Sequence, residues 1–260
     1  MRVVTWNLGW RFGEWEPRQP AIEAVLAETD ADVIAVQETW PDQLDALADG
    51  LGMCWSFSGR RPSDTMEHGF GNGILTRAPV RRTEEITLPA LEGPTYRSAL
   101  LVELAGDHPT VVVTTHLAHR FSETATRTAQ LATLSRFIDE HADDPTVPVL
   151  LAGDLNAVPD SDEIRRLTGR STPYLDGTIW SDAWEQVGDG TGWTWSASNP
   201  LAAESKWPNR RLDYVLSRWP RDGRAGDPVA ARHIGTEPIH GVVASDHFGV
   251  LVDFATAANR

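Results

Sequence analysis

Polar residues with chemical capacity recur at one kind of place in this sequence, the ends of short apolar runs. Val3-Val4-Thr5-Trp6 ends in Asn7, and Val33-Ile34-Ala35-Val36 ends in Gln37-Glu38. Val111 to Thr115 ends in His116, and Val147 to Ala152 ends in Gly153-Asp154-Leu155-Asn156. Asp213 opens Tyr214-Val215-Leu216, while Ser245-Asp246-His247 precedes Val250 to Phe254. Carboxylate and amide oxygens ligate hard cations and histidines exchange protons near neutral pH, so every one of these ends brings a ligand or a proton carrier. Ligand sites of α/β proteins gather at the mouth formed by strand ends, which predicts one shared cleft. Singly, each residue has an ordinary structural use. Asn7 can cap a turn, Glu38 can cap a helix starting near Pro41, and His116 can be a satisfied buried histidine. Asp154 and Asn156 can close an Asx-turn, and Asp213 can pair with Arg210 or Arg211. Six such ends in one chain make coincidence the poorer account.

The elements that must position them follow from periodicity. Strands are expected at Val3 to Trp6, Val33 to Val36, Gly73 to Thr76, Ala99 to Leu104, Val111 to Thr115, Val147 to Ala152, Leu212 to Leu216 and Val250 to Phe254. Helices are expected over Pro20 to Glu28 and Ser122 to His141, whose apolar residues fall on one stripe, and a shorter one over Asp162 to Leu167. Ser122 or Thr124 is the expected cap of the second helix. Strands followed by one main helix occur once in each half, which fits two similar halves facing each other. The stretch from Thr168 to Arg211 carries Trp180, Trp184, Trp193, Trp195 and Trp207 among Gly, Ser, Asn and Pro. It reads as long ordered loops anchored by aromatic residues, a frequent form of binding element.

Composition bounds the remaining possibilities. A length of 260 residues with 41% hydrophobic and 23% charged residues fits one globular domain spanning 1–260. No apolar run approaches the roughly 20 residues of a membrane span, and the N-terminus lacks the apolar core of a signal peptide, so a cytoplasmic monomer with no membrane partner is the expectation. Cys54 is the single cysteine, which excludes an internal disulfide and reads as a small core residue. A net charge of −14 disfavours nonspecific binding of duplex DNA, since a polyanion is repelled unless a bound cation or a local basic patch reverses the field.

In order along the chain, Thr5-Trp6-Asn7, Gln37-Glu38, Thr115-His116-Leu117, Gly153-Asp154-Leu155-Asn156, Arg211-Leu212-Asp213-Tyr214 and Ser245-Asp246-His247 resemble the motifs of the endonuclease/exonuclease/phosphatase superfamily, the deoxyribonuclease-I-like fold. The resemblance implies a four-layer αββα sandwich of two mixed β-sheets with outer helices, and metal-dependent cleavage of phosphate esters. It implies magnesium, with manganese as a substitute, held by Glu38 with Asn7 and Asp246 nearby. Asp154 is then the residue that orients and deprotonates the attacking water, and Asn156 donates to a phosphoryl oxygen. His247, kept cationic by Asp213, stabilises charge growing on the phosphoryl group, and His116 contacts the phosphate or assists the leaving group. Asn72, before Ile74-Leu75, resembles a strand entry where a polar residue touches the site; Arg97, Arg211 and Trp195 complete the expected substrate contacts.

Departures from the family narrow the choice. Thr115-His116-Leu117-Ala118-His119 stands where branches acting on abasic DNA have tyrosine and Pro-Asn. Gly9 stands where some branches carry an aspartate ligand, and Ala157-Val158 stands where the inositol-polyphosphate branch has Tyr-Arg. The His116-Leu117 type resembles nucleases, tyrosyl-DNA phosphodiesterases, sphingomyelinases and deadenylases alike, and the motif does not separate them. The leading reading is a phosphodiesterase on nucleic acid or a nucleotide-like diester, with a phosphomonoesterase on a small soluble molecule as the alternative, and a silent binding module as a third reading that the full residue set disfavours. Arginines supply nearly all the cations, Lys206 being the one lysine, and with the tryptophans they favour a single-stranded or short nucleotide substrate over duplex.

Overall fold

The computed structural model describes residues 1–63, 66–94, 96–106, 108–142 and 144–256. In chain order the strands are β1 (Arg2–Asn7), β2 (Val33–Thr39), β3 (Cys54–Arg60), β4 (Phe70–Thr76), β5 (Val80–Thr87), β6 (Ser98–Leu104), β7 (Thr110–His116), β8 (Val149–Asp154), β9 (Ile179–Asp182), β10 (Asp213–Trp219), β11 (Pro228–Ile234) and β12 (Gly249–Phe254). The helices are α1 (Arg18–Thr29), α2 (Pro41–Leu51), α3 (Thr124–His141), α4 (Asp162–Leu167), α5 (Ala183–Val187) and α6 (Pro200–Ala203). None is long and apolar enough to cross a membrane.

Two six-stranded mixed sheets form, in the orders β11-β12-β1-β2-β4-β3 and β5-β6-β7-β8-β10-β9. Side chains alternate faces along each strand, so a strand buried on both faces must be apolar throughout, as Val3-Val4 and Val111-Val112-Val113 are. Val3, Val33, Ala35 and Ile74 of the first sheet pack against Leu100, Val112, Leu150 and Val215 of the second, closing the layer between the sheets. The opposite face of the first sheet, with Val4, Trp6, Ile34 and Val36, covers itself with α1 and α2. That of the second, with Val113, Leu151, Tyr214 and Leu216, is covered by α3 and α4. This is the four-layer sandwich the motifs imply.

Four expectations need correction. The eight expected strands are all present, but β3, β5, β9 and β11 were not foreseen. The segment 168–211 is not all loop, because it contains β9, α5 and α6. Cys54 is exposed on β3 rather than packed in a core. Neither Ser122 nor Thr124 caps α3, whose N-cap position is Glu123, with no side-chain bond to the amides of the helix's first turn. The start of α3 is held from inside instead: Arg127 donates to the carbonyls of Ala118 (3.1 Å) and Arg120 (2.8 Å) and pairs with buried Glu163 at 2.8 Å.

Candidate active site

The site is the end of the layer between the sheets. Val112 and Thr114 of β7, Leu150 and Ala152 of β8 and Val215 of β10 face the first sheet, and the same alternation carried to the strand ends turns His116, Asp154 and Asp213 that way. Register places His116 beside Asp154 and Asp154 beside Asp213, so three strands deliver three titratable groups in a row. From the first sheet, Val3 and Thr5 of β1 face inward and Asn7 follows them. Below these ends Gln37 donates to Thr5 Oγ1 (3.1 Å) and to Thr114 Oγ1 (3.0 Å), tying the sheets together.

Glu38 breaks the alternation. Gln37 already points inward, so a regular strand would turn Glu38 out toward the helices. The pairing of β2 with β4 shifts between Gln37 and Thr39, and Glu38 adopts φ 53°, a bulge that re-aims the carboxylate into the site. Asn156 takes the left-handed region too, with φ 50°. Non-glycine residues held there cost of order 1–3 kcal/mol, so surrounding contacts must impose them. For Asn156 these are its amide N–H on Asp154 Oδ1 (2.9 Å) and its Nδ2 on the Leu117 carbonyl (3.2 Å).

Hydrogen bonds fix the remaining groups. Asn7 Nδ2 donates to Asp154 Oδ2 at 3.0 Å across the sandwich, while Asn7 Oδ1 accepts from the Gly9 amide at 3.0 Å. Asp213 Oδ2 lies 2.8 Å from His247 Nδ1. Asp154 Oδ2 is 3.4 Å from His116 Nε2 and 4.0 Å from His247 Nε2, so it stands between the two imidazoles. Thr194 ties both loops together, accepting at Oγ1 from the amides of Leu212 (3.1 Å) and Asp213 (3.2 Å) and at its carbonyl from Phe248 N (2.8 Å). Ser245 Oγ donates to the Asn7 carbonyl at 2.6 Å. Buried Arg18 donates to the carbonyls of Leu8, Gly9, Trp10 and Phe12, and to that of Ala244, clasping the loop after β1 to the segment that carries Asp246.

Burial and neighbouring charges push the pKa values apart. Burial alone would lower His247; the charge and hydrogen bond of Asp213, with Asp154 and Asp246 behind, outweigh it and raise the imidazolium to about 10. His116 is held neutral by burial and by the positive charge of Arg97 and His247. Asp154 is raised, first by burial and then by Asp213. Glu38 is raised to about 7 by burial and by the charge of Asp246. Glu38 feels the charge of Asp246, and two such carboxylates lining one cleft are hard-oxygen donors of the kind that suits a divalent cation. Asp154, Asp213 and His247 also offer ligand atoms within 4.8 Å of one another. That trio suits a metal poorly, because the Nδ1 of His247 is committed to Asp213 and its ring is cationic.

Asn7, Glu38, Arg97, His116, Asp154, Asn156, Trp195, Asp246 and His247 line one cleft of about 800 Å³, and Asp213 stands behind His247. Two expected substrate contacts lie elsewhere. The Asn72 amide is buried between the sheets and donates to the Ser98 carbonyl at 3.0 Å. Arg211 Nη1 is buried against both oxygens of Asp182, at 2.8 and 2.7 Å, because the segment before β10 runs over α5 before reaching the cleft. Trp195 meets the edge of His247, ring centroids 5.0 Å apart, and touches Trp207, which in turn touches Phe121. His119 and Arg60 also line the cleft and carried no sequence signal, the first lying three residues past a strand end and the second on an unforeseen strand.

Among curated proteins none matches this sequence significantly. Solved structures share the fold. A TDP2 of D. rerio complexed with single strand DNA product aligns with TM-score 0.79 at 22% identity, covering 98% of this chain and 99% of that one. A functionally unknown conserved protein from Enterococcus faecalis aligns with TM-score 0.76 at 19% identity over 98% and 100% of the two chains. The human Nocturnin catalytic domain with bound sulfate anion aligns with TM-score 0.74 at 20% identity over 98% and 94%. Residues 4–247 match the family model Endonuclease/Exonuclease/phosphatase family, which spans every motif lining the cleft. The chain therefore belongs to that family of phosphoester hydrolases.

Proposed function

We propose that the protein is a magnesium-dependent phosphodiesterase acting on single-stranded nucleic acid or a nucleotide-like diester. The observation that carries this reading is the placement of Asp154 between a neutral and a cationic imidazole, opposite the Glu38–Asp246 carboxylate pair, in one open cleft. Glu38 and Asp246, with Asn7, would hold the metal, which when bound supplies positive charge to the phosphate oxygens. Asp154, oriented by Asn7 and by the Asn156 amide, takes the proton of the attacking water; its raised pKa makes it a better base than an exposed aspartate. His247 presents Nε2–H to a phosphoryl oxygen, and Asp213 keeps that proton in place through Nδ1. Asn156 spends one amide hydrogen on Leu117 and has the second for the phosphate. Neutral His116 faces the leaving oxygen. Half-buried Trp195 and exposed Trp207 on the cleft wall favour a substrate carrying an aromatic ring, since a stacked base contributes about 1–3 kcal/mol.

Bis(p-nitrophenyl) phosphate, assayed beside the mono-ester with magnesium, manganese or chelator, tests the proposal. Turnover of the diester that chelator abolishes and either metal restores is expected. Efficient hydrolysis of the mono-ester alone would favour the phosphatase alternative, and turnover unmoved by chelator would remove the metal from the reading.

A further inference from the structure

The cleft wall remote from the tryptophans carries groups that the proposed reaction leaves unused. Across the sandwich β3 packs against β6 and β10 against β12, with β1 and β2 over β7 and β8 between them. Arg60 ends β3 and Arg97 leads into β6, so both stand on one flank of the reaction centre. Trp195 precedes β10 and stands on the other. Arg97 is near enough to draw down the pKa of Glu38 and of His116, whereas Arg60 lies farther out.

These groups are donors held in place. Arg97 Nη2 is 3.3 Å from His119 Nδ1, and because a guanidinium only donates, Nδ1 accepts and the ring proton sits on Nε2. Arg60 lies over the Tyr96 ring, 4.9 Å from its centroid, which fixes the plane of the guanidinium and leaves its edge free to donate. Among the described residues no carboxylate is within ion-pairing distance of Arg60. Of the acids on the same rim, Glu123 is taken up by Arg120, accepting its amide at 3.0 Å and lying 3.9 Å from its guanidinium. In a chain of net charge −14, a guanidinium left without a carboxylate on a cleft wall is a place for an anion that arrives with the substrate.

We infer that Arg60, Arg97 and the Nε2–H of His119 form a subsite for a second phosphate group of the substrate, on the flank of the scissile phosphate away from Trp195. The inference rests on the phosphodiesterase reading and specifies it further. The preferred substrate carries at least two phosphates, with an aromatic ring toward one wall and the additional phosphate toward the other.

Calorimetric titration of the full chain, in magnesium, with thymidine 3′,5′-bisphosphate and with thymidine 5′-monophosphate tests the subsite without turnover. The bisphosphate should bind at least about tenfold tighter, with an advantage that shrinks as salt rises. Arg60→Gln should remove most of that advantage, and Arg11→Gln, at an arginine outside the cleft, should keep it. Equal binding of the two nucleotides by the wild type, or an advantage unmoved in both Arg60→Gln and Arg97→Gln, would overturn the subsite. Turnover of the p-nitrophenyl ester of thymidine 5′-phosphate is read separately. Its absence beside a retained bisphosphate advantage would count against the phosphodiesterase reading while the subsite stands.

Discussion

The two halves of the sandwich are built alike and equipped differently. β1-α1-β2 and β7-α3-β8 are each a parallel pair joined by a helix, and the sheets around them run in matching order. In each, an arginine in the first turn of the helix holds the loop that leaves the first strand. Arg127 does so with its charge neutralised on the spot by Glu163 at 2.8 Å. Among the described residues Arg18 has only carbonyls as hydrogen-bond partners; burial disfavours its charge, and the opposing negative charge comes through space from Asp246 and Glu38. One arginine is therefore a closed structural unit, and the other has the proposed metal cradle as its counter-charge. The second strands differ as well: β8 delivers Asp154 by plain alternation, whereas β2 needs a bulge to deliver Glu38. On the proposed reading, proton abstraction by Asp154 falls to the second half and cation binding by Glu38 to the first.

The largest effect should come from the residues at the two equivalent strand ends. Asp154→Asn should lower turnover by about 10²- to 10⁴-fold at saturating magnesium with metal affinity nearly kept, while Glu38→Gln should lose metal affinity first. Steady-state kinetics over a magnesium titration separates them, and the reverse pattern would break the division of labour. Next come the arginines. Glu163→Gln leaves a buried guanidinium unpaired and should cost about 3–5 kcal/mol in denaturant unfolding, equally with and without metal. Arg18→Lys keeps the charge but cannot reach so many carbonyls, and should weaken magnesium binding by about 10- to 100-fold, read by calorimetry. Arg127→Lys should leave that affinity alone; if both substitutions or neither moved it, the asymmetry would be wrong.

A pH effect follows from the Asp213–His247 pair. Between the ordinary histidine pKa near 6.5 and the folded value of about 10, the native state binds a proton that the unfolded chain releases. Stability from this pair is therefore full below about pH 6.5 and falls as pH rises toward 10. Asp213→Asn should flatten that fall in unfolding midpoints measured across the window; an unchanged slope would place the proton elsewhere. The smallest effect should be at the tie between the sheets, where Thr114→Val removes one of the bonds made by Gln37 and should cost about 1 kcal/mol in thermal unfolding.

The site was more legible in the sequence than its frame. Asn7, His116, Asp154 and Asp213 stand at the ends of apolar runs, and a strand buried on both faces cannot be written any other way. The bulge at Glu38 has no local signature, since it arises from how β2 pairs with β4. Asn72 and Arg211, expected as substrate contacts, have side chains bonded to Ser98 and Asp182, because sequence gives a position near a strand end without the direction of the side chain. Arg18 lies ahead of the expected helix Pro20 to Glu28 and carries no local signal, since its partners lie partly at Ala244, far along the chain. The four unforeseen strands, β3, β5, β9 and β11, are the outer strands of both sheets. Covered less fully, they need no continuous apolar run.

Those outer strands have a bearing on solubility. An open sheet edge presents unpaired amides and carbonyls to any passing chain, and long apolar edges template aggregation. β5 is Val-Arg-Arg-Thr-Glu-Glu-Ile-Thr, with Arg81 and Arg82 both on Glu103 and Arg82 facing Glu84, so an incoming strand would have to desolvate charge at nearly every step. β9 is only four residues long, and β11 opens on a proline with a register break between Pro228 and Ala230. The polarity that hides these strands from a hydrophobicity pattern also guards the sheet edges, so Arg82→Val with Glu84→Val should turn β5 into a sticky edge, read as light scattering that rises with concentration.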